Sequence, residues 1–100
     1  MATTPEGKVK KAIAAMLIRL NAYYHMPVQQ GYGRPSLDFI ICMGGRFVAI
    51  EAKAPGKRPT AIQHKTIKQI VDAGGLVFVI DGVEQVPNCE SVLEKLCSLA

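Results

Sequence analysis

The chain has no run of about 18 apolar residues that could cross a bilayer. Its start, Met1-Ala-Thr-Thr-Pro-Glu6, lacks the charged-then-apolar pattern of an export signal. Both absences point to an intracellular, cytoplasmic protein with no membrane attachment. Cysteine is sparse and unpatterned. Cys42, Cys89 and Cys97 form no CxxC pair and leave one thiol over, which argues against a disulfide framework and a cysteine-built zinc site. They read as buried thiols. A glycine-rich phosphate loop is also missing, and with it the usual signature of an enzyme acting on small phosphorylated substrates. No internal repeat, low-complexity tract or interdomain linker divides the sequence, so residues 1–100 read as one domain.

Against these absences stands an apolar fraction of 49% in 100 residues, enough for a genuine core. A chain this short buries a smaller share of its surface than a large one, and dimerisation would add to it. Lysine and arginine outnumber aspartate and glutamate by 12 to 8, for a formal charge of +4 and a pI near 9.1. Three of the acids, Glu6, Asp38 and Glu51, are placed inward by the arguments below, so the outer surface is more basic than the net charge indicates. A phosphate backbone suits such a surface.

Apolar spacing and punctuation give the element order αβββαβα. Thr4 can cap a helix with Pro5 at its first position, running to about Asn21 on a core stripe of Val9, Ile13, Met16, Leu17 and Leu20. Tyr23 to Val28 suits a short edge strand ending near Pro27. After a polar loop, Asp38–Met43 and Arg46–Lys53 form a hairpin, apolar on both faces as in a sheet covered by helices on two sides. Thr60 can cap a second helix carrying Ile62, Ile67, Ile70 and Val71 and ending at Gly74-Gly75. Leu76–Ile80 reads as a buried strand. A final helix from about Asn88 uses Val92, Leu93, Leu96 and Leu99. The helical crossover from Lys53 to Leu76 is long enough for a parallel strand pair, so the class is α/β with a mixed sheet flanked by helices.

The hairpin carries the chemistry. Glycines at both central positions of the two-residue Gly44-Gly45 loop favour the turn whose twist matches antiparallel strands. Met43 then faces Arg46, and counting down the ladder sets Asp38 opposite Glu51, with Lys53 two residues further on the same face. Opposed side chains lie about 5 Å apart at Cβ, and like charges there are destabilising. A divalent cation between the two carboxylates resolves the repulsion.

Two further polar residues fall on apolar helix faces. Glu6 projects onto the Val9, Ile13 and Leu17 stripe; it either contacts a metal, directly or through water, or serves as a first-turn acid paired with Lys10. Gln63 projects between Thr66, Ile67 and Ile70. It either satisfies backbone groups in the core or holds the lysine, a water or a phosphate at the site. His25 and His64 share no spacing with another ligand candidate.

Phosphodiester hydrolysis needs a water made nucleophilic near neutral pH and charge stabilisation at the phosphoryl oxygens, which carboxylate-bound Mg²⁺ can supply. Asp38 and Glu51 are the candidate ligands, joined by the backbone carbonyl of Ala52. Lys53 can orient the water or neutralise the phosphate. An all-oxygen donor set argues against zinc.

Gly33-Arg-Pro-Ser-Leu-Asp38, Glu51-Ala-Lys53 and Thr60-Ala-Ile-Gln63, in this element order and after a helical glutamate, resemble the PD-(D/E)xK nuclease superfamily, and within it the VRR-NUC domain. The resemblance runs from Glu6 through Gly74-Gly75-Leu-Val-Phe-Val. It implies a restriction-endonuclease-like fold and a Mg²⁺-dependent endonuclease, with Mn²⁺ able to substitute, acting on branched DNA in replication, recombination or repair. It assigns Asp38 and Glu51 as metal ligands, Lys53 as catalytic lysine, Gln63 as helix-borne accessory residue and Glu6 as first-helix acid. The usual proline immediately before the aspartate is absent, and Pro35 lies three residues earlier. A lone domain of this size is similar to Holliday junction resolvases that work as homodimers. DNA contacts then fall to the rim loops, with Gln29, Gln30, Tyr32 and Arg34 on one side and Lys57 and Arg58 on the other.

Overall fold

The computed structural model describes residues 3–28 and 34–97. The chain runs through α1 (Pro5–Arg19), β1 (Tyr23–His25), β2 (Phe39–Met43), β3 (Arg46–Ala52), α2 (Ala61–Asp72), β4 (Leu76–Ile80), a 3-10 turn (Val83–Gln85) and α3 (Val86–Cys97). Four strands form one sheet in the order β1-β2-β3-β4. The first two pairings are antiparallel and β3 pairs β4 in parallel, so the sheet is mixed, as the crossover length requires.

Helix α1 begins as its cap chemistry dictates: Thr4 Oγ1 accepts from the Gly7 N–H at 3.0 Å, with Pro5 at the first turn. It stops at Arg19, before Asn21 takes a left-handed conformation (φ 56°) and turns the chain into β1. The hairpin register is the expected one, with Met43 opposite Arg46 and Phe39 opposite Ile50. Gly44 and Gly45 both have positive φ. At Gly44 a Cβ would also run into the Cys97 carbonyl oxygen, so the turn is fixed both by backbone conformation and by the close approach of α3.

One sheet face is sealed. Phe39, Ile41, Val48, Ile50 and Ala52 pack with Val9, Ile13, Met16 and Leu17 of α1 and Val86, Cys89, Leu93 and Cys97 of α3. The seam of α3 therefore differs from the Val92, Leu93, Leu96 and Leu99 stripe. The helix starts at Val86, two residues earlier than Asn88, with Pro87 tolerated in its first turn, and its buried seam follows the three- and four-residue spacing of Val86, Cys89, Leu93 and Cys97. Leu99 lies outside the described residues. Cys89 and Cys97 are buried free thiols, but Cys42 is exposed, contrary to expectation. Burial pushes the Cys89 thiol up to about 11, with the Glu90 charge adding to it.

The opposite face is less covered than a two-sided apolar pattern suggests. Among the described residues only α2 lies on it, and Phe47 remains 48% exposed. The buried side of α2 is Thr66 with half-buried Gln63, Ile67 and Ile70, while Ile62 and Val71 face outward. Gly75 allows the turn from α2 into β4 to pass tightly, since a Cβ there would lie 2.6 Å from Ile70 Cγ2. Between α2 and β2–β3 is a groove of about 650 Å³ lined by Ile40, Phe47, Thr66 and Ile70, with Arg34 and Pro35 at one end.

Candidate active site

Strand β2 begins at Phe39 rather than Asp38, and β3 ends at Ala52 rather than Lys53. The reason lies in the site. Where the backbone ladder would continue, side-chain carboxylates replace it. The Asp38 N–H donates to Glu51 Oε1 at 3.2 Å, and the Ala52 N–H donates to Asp38 Oδ2 at 2.9 Å. These two bonds hold the carboxylates facing each other across the hairpin mouth, one step beyond the Phe39–Ile50 pair. Leu37, fully buried, and a Ser36 Oγ–H bond to the Leu37 carbonyl at 3.1 Å anchor the approach to Asp38 where the usual proline is absent.

Each carboxylate thus commits one oxygen to a backbone N–H and turns the other to an ammonium group. Glu51 Oε2 lies 3.3 Å from Lys53 Nζ, and Asp38 Oδ1 lies 3.7 Å from Lys10 Nζ. Glu51 is 2% exposed. Burial, and then the Asp38 charge, raise its pKa above the ordinary carboxylate range, and the bond from Lys53 only partly opposes this. A buried acid facing a second acid is a poor arrangement for an inert core and a good one for a cation.

The donor set suits a hard divalent ion. Asp38 Oδ1 and Glu51 Oε2 are carboxylate oxygens whose partners are lysine ammonium groups rather than backbone. In extended backbone a residue's N–H and C=O point to the same neighbouring strand. The Ala52 N–H meets Asp38, so its carbonyl points to that edge too. Three oxygens, with water and a phosphate completing the shell, match what Mg²⁺ requires. Among the described residues no three His, Cys, Asp or Glu side chains are grouped for a metal ion. Glu6 stands back from the pair, half exposed, and its carboxylate lies 3.4 Å from Lys10 Nζ.

Gln63 takes a double role. Its Oε1 accepts from the Thr60 N–H at 2.9 Å while Thr60 Oγ1 accepts from the Gln63 N–H at 3.3 Å, a reciprocal capping box. The amide oxygen is thereby committed to starting α2, and the NH₂ end is the group it can offer to a ligand. Both roles of a half-buried glutamine, backbone satisfaction and ligand contact, are compatible with that geometry.

Around the site, Arg34 is exposed at the end of the apolar groove. Lys57 and Arg58 line a separate cleft of about 410 Å³ with His64, Asp81 and Gln85. His25 is exposed on the edge strand opposite Ile40. Gln29, Gln30 and Tyr32 lie outside the described residues. Lys10 is the residue that sequence reasoning placed only beside Glu6. Its spacing from Glu6 was visible, but its reach to Asp38 depends on how α1 crosses the hairpin mouth.

Among solved structures the chain is similar to one described as a VRR_NUC domain, with a TM-score of 0.77 and 22% sequence identity, covering 90% of this chain and 97% of that one. No family model and no curated protein matches it. The chain therefore has the VRR-NUC fold, a mixed four-stranded sheet with three helices, as the motif resemblance implies. No helix among the described residues is long and apolar enough to cross a membrane.

Proposed function

We propose that this chain is a metal-dependent nuclease that hydrolyses phosphodiester bonds in branched DNA, working as a homodimer on four-way junctions. The observation that carries the reading is the opposed Asp38 and Glu51 pair with Lys53 Nζ 3.3 Å from Glu51. When bound, Mg²⁺ or Mn²⁺ supplies Lewis acidity and lowers the pKa of a water. Asp38, Glu51 and the Ala52 carbonyl would hold the ion. Lys53, with its side chain only 13% exposed, meets the attacking water or a phosphoryl oxygen as a sheltered point charge, which strengthens its field relative to a solvated lysine. Arg34 on one flank, and Lys57, Arg58 and His64 on the other, supply phosphate contacts.

Support for a dimer comes from the exposed apolar side chains Phe47, Ile62 and Val71, which a second copy could cover. The test incubates purified protein with a labelled four-way junction in Mg²⁺ or Mn²⁺, beside flap and nicked-duplex substrates, with its mass measured in solution. Paired nicks in the junction and a dimer mass are expected. Preferential cleavage of flaps or nicked duplex would replace the junction assignment, and binding without cleavage under both metals would make the chain a nucleic-acid-binding protein on a nuclease fold.

A further inference from the structure

The proposed metal site contains a cation that its motif does not predict. Lys10, less exposed than Lys8 and Lys11 on the same helix, reaches across to the residue that precedes β2, lying 3.4 Å from Glu6 Oε2 and 3.7 Å from Asp38 Oδ1. Its side chain is 34% exposed, against 76% for Lys68 in the ordinary helical pair with Asp72. A helical i,i+4 pair with Glu6 would form on any exposed helix. The contact with Asp38, which belongs to another element, would not.

We propose that Lys10 takes the position of a second divalent cation, so that the site binds one metal ion per chain. Glu6 and Asp38 are the two carboxylates between which a second ion would sit, and the Lys10 ammonium already bridges them. Charge balance favours this arrangement. Three carboxylates against two ammonium groups leave the cluster one unit negative, so a single divalent ion makes it one unit positive, matched to one phosphodiester. A second ion would leave three units of positive charge in a partly buried site.

This inference rests on the metal-dependent reading above, and its test separates the two. Mn²⁺ is titrated calorimetrically into wild type, Lys10→Ala, Lys10→Arg and Lys8→Ala, with circular dichroism confirming the fold of each. Wild type, Lys10→Arg and Lys8→Ala should bind one ion. Lys10→Ala should bind two, the first about tenfold more tightly, because a neighbouring positive charge has gone. Two ions in wild type would overturn the role of Lys10 and leave the metal reading standing, and so would one ion in Lys10→Ala. No binding in wild type would overturn both.

Discussion

Removing or adding the metal should change the stability of this protein more than most point mutations do. Asp38 and Glu51 face each other with Glu51 2% exposed, so the metal-free fold carries a repulsion that Lys53 and Lys10 only partly offset and that a cation converts into attraction. An ion present at a hundredfold excess over its Kd stabilises the folded state by about 2.7 kcal/mol. For a domain of this size each kcal/mol moves Tm by roughly 4–8 °C, which gives an expected rise of about 10–20 °C. Scanning calorimetry in chelator and in excess Mn²⁺ measures it. The pH dependence has a definite sign. The folded chain holds the Glu51 proton to higher pH than the unfolded chain does, so in chelator this group's contribution is fully present below the ordinary glutamate range. It is lost as pH rises through the raised value. A metal held by this pair would need it deprotonated, so the Mn²⁺-induced rise should instead shrink as pH falls through that same value. Asp38→Asn should abolish most of the Mn²⁺ rise and bring the Glu51 pKa down, since the Asp38 charge is its second cause. A Tm rise of equal size in Asp38→Asn would refute the reasoning.

Lys53→Ala should keep the Mn²⁺-induced rise in Tm yet lose about 100- to 1000-fold in cleavage rate, measured on the substrate that wild type cuts; Glu51 should then hold its proton to still higher pH, visible in an NMR titration. Gln63→Glu preserves the capping box, because glutamate serves equally at that position, so stability should stay within about 0.5 kcal/mol by urea unfolding. If the NH₂ end of Gln63 contacts substrate, the same variant should cut about tenfold or more slowly. Thr60→Ala removes the cap of α2 and should cost about 1 kcal/mol in the same unfolding assay. Gly44→Ala meets both a positive φ and the Cys97 carbonyl, and should destabilise the fold by roughly 2–4 kcal/mol, read from the urea midpoint.

Much of the site was legible because it depends on short-range counting. A two-residue Gly-Gly turn fixes hairpin register, and register alone places Asp38 opposite Glu51. Gln63 was singled out by its helical projection, but its bond to Thr60 is a local cap that the same four residues spell out. Glu6 was projected onto an inward stripe, yet it sits half exposed at the end of α1 with Lys10 between it and Asp38. Projection gives the direction of a side chain around its helix and not how far the helix end extends beyond the sheet. The α3 seam differs for a related reason: the way the helix docks on the sheet, and not its own periodicity, selects the face with Cys89, Leu93 and Cys97.

The sequence by itself determined the element order, the antiparallel register and the identity of the carboxylate pair with its lysine, because turn chemistry and alternation act over a few residues. Tertiary structure alone decided that, among the described residues, the second sheet face stays partly open, since coverage depends on where one helix rests on four strands. It also decided that Asp38 and Glu51 replace the end of the backbone ladder, and that Lys10 meets Asp38. Both follow from the crossing of α1 over the hairpin mouth and the exact end of β2, distances that no local pattern encodes.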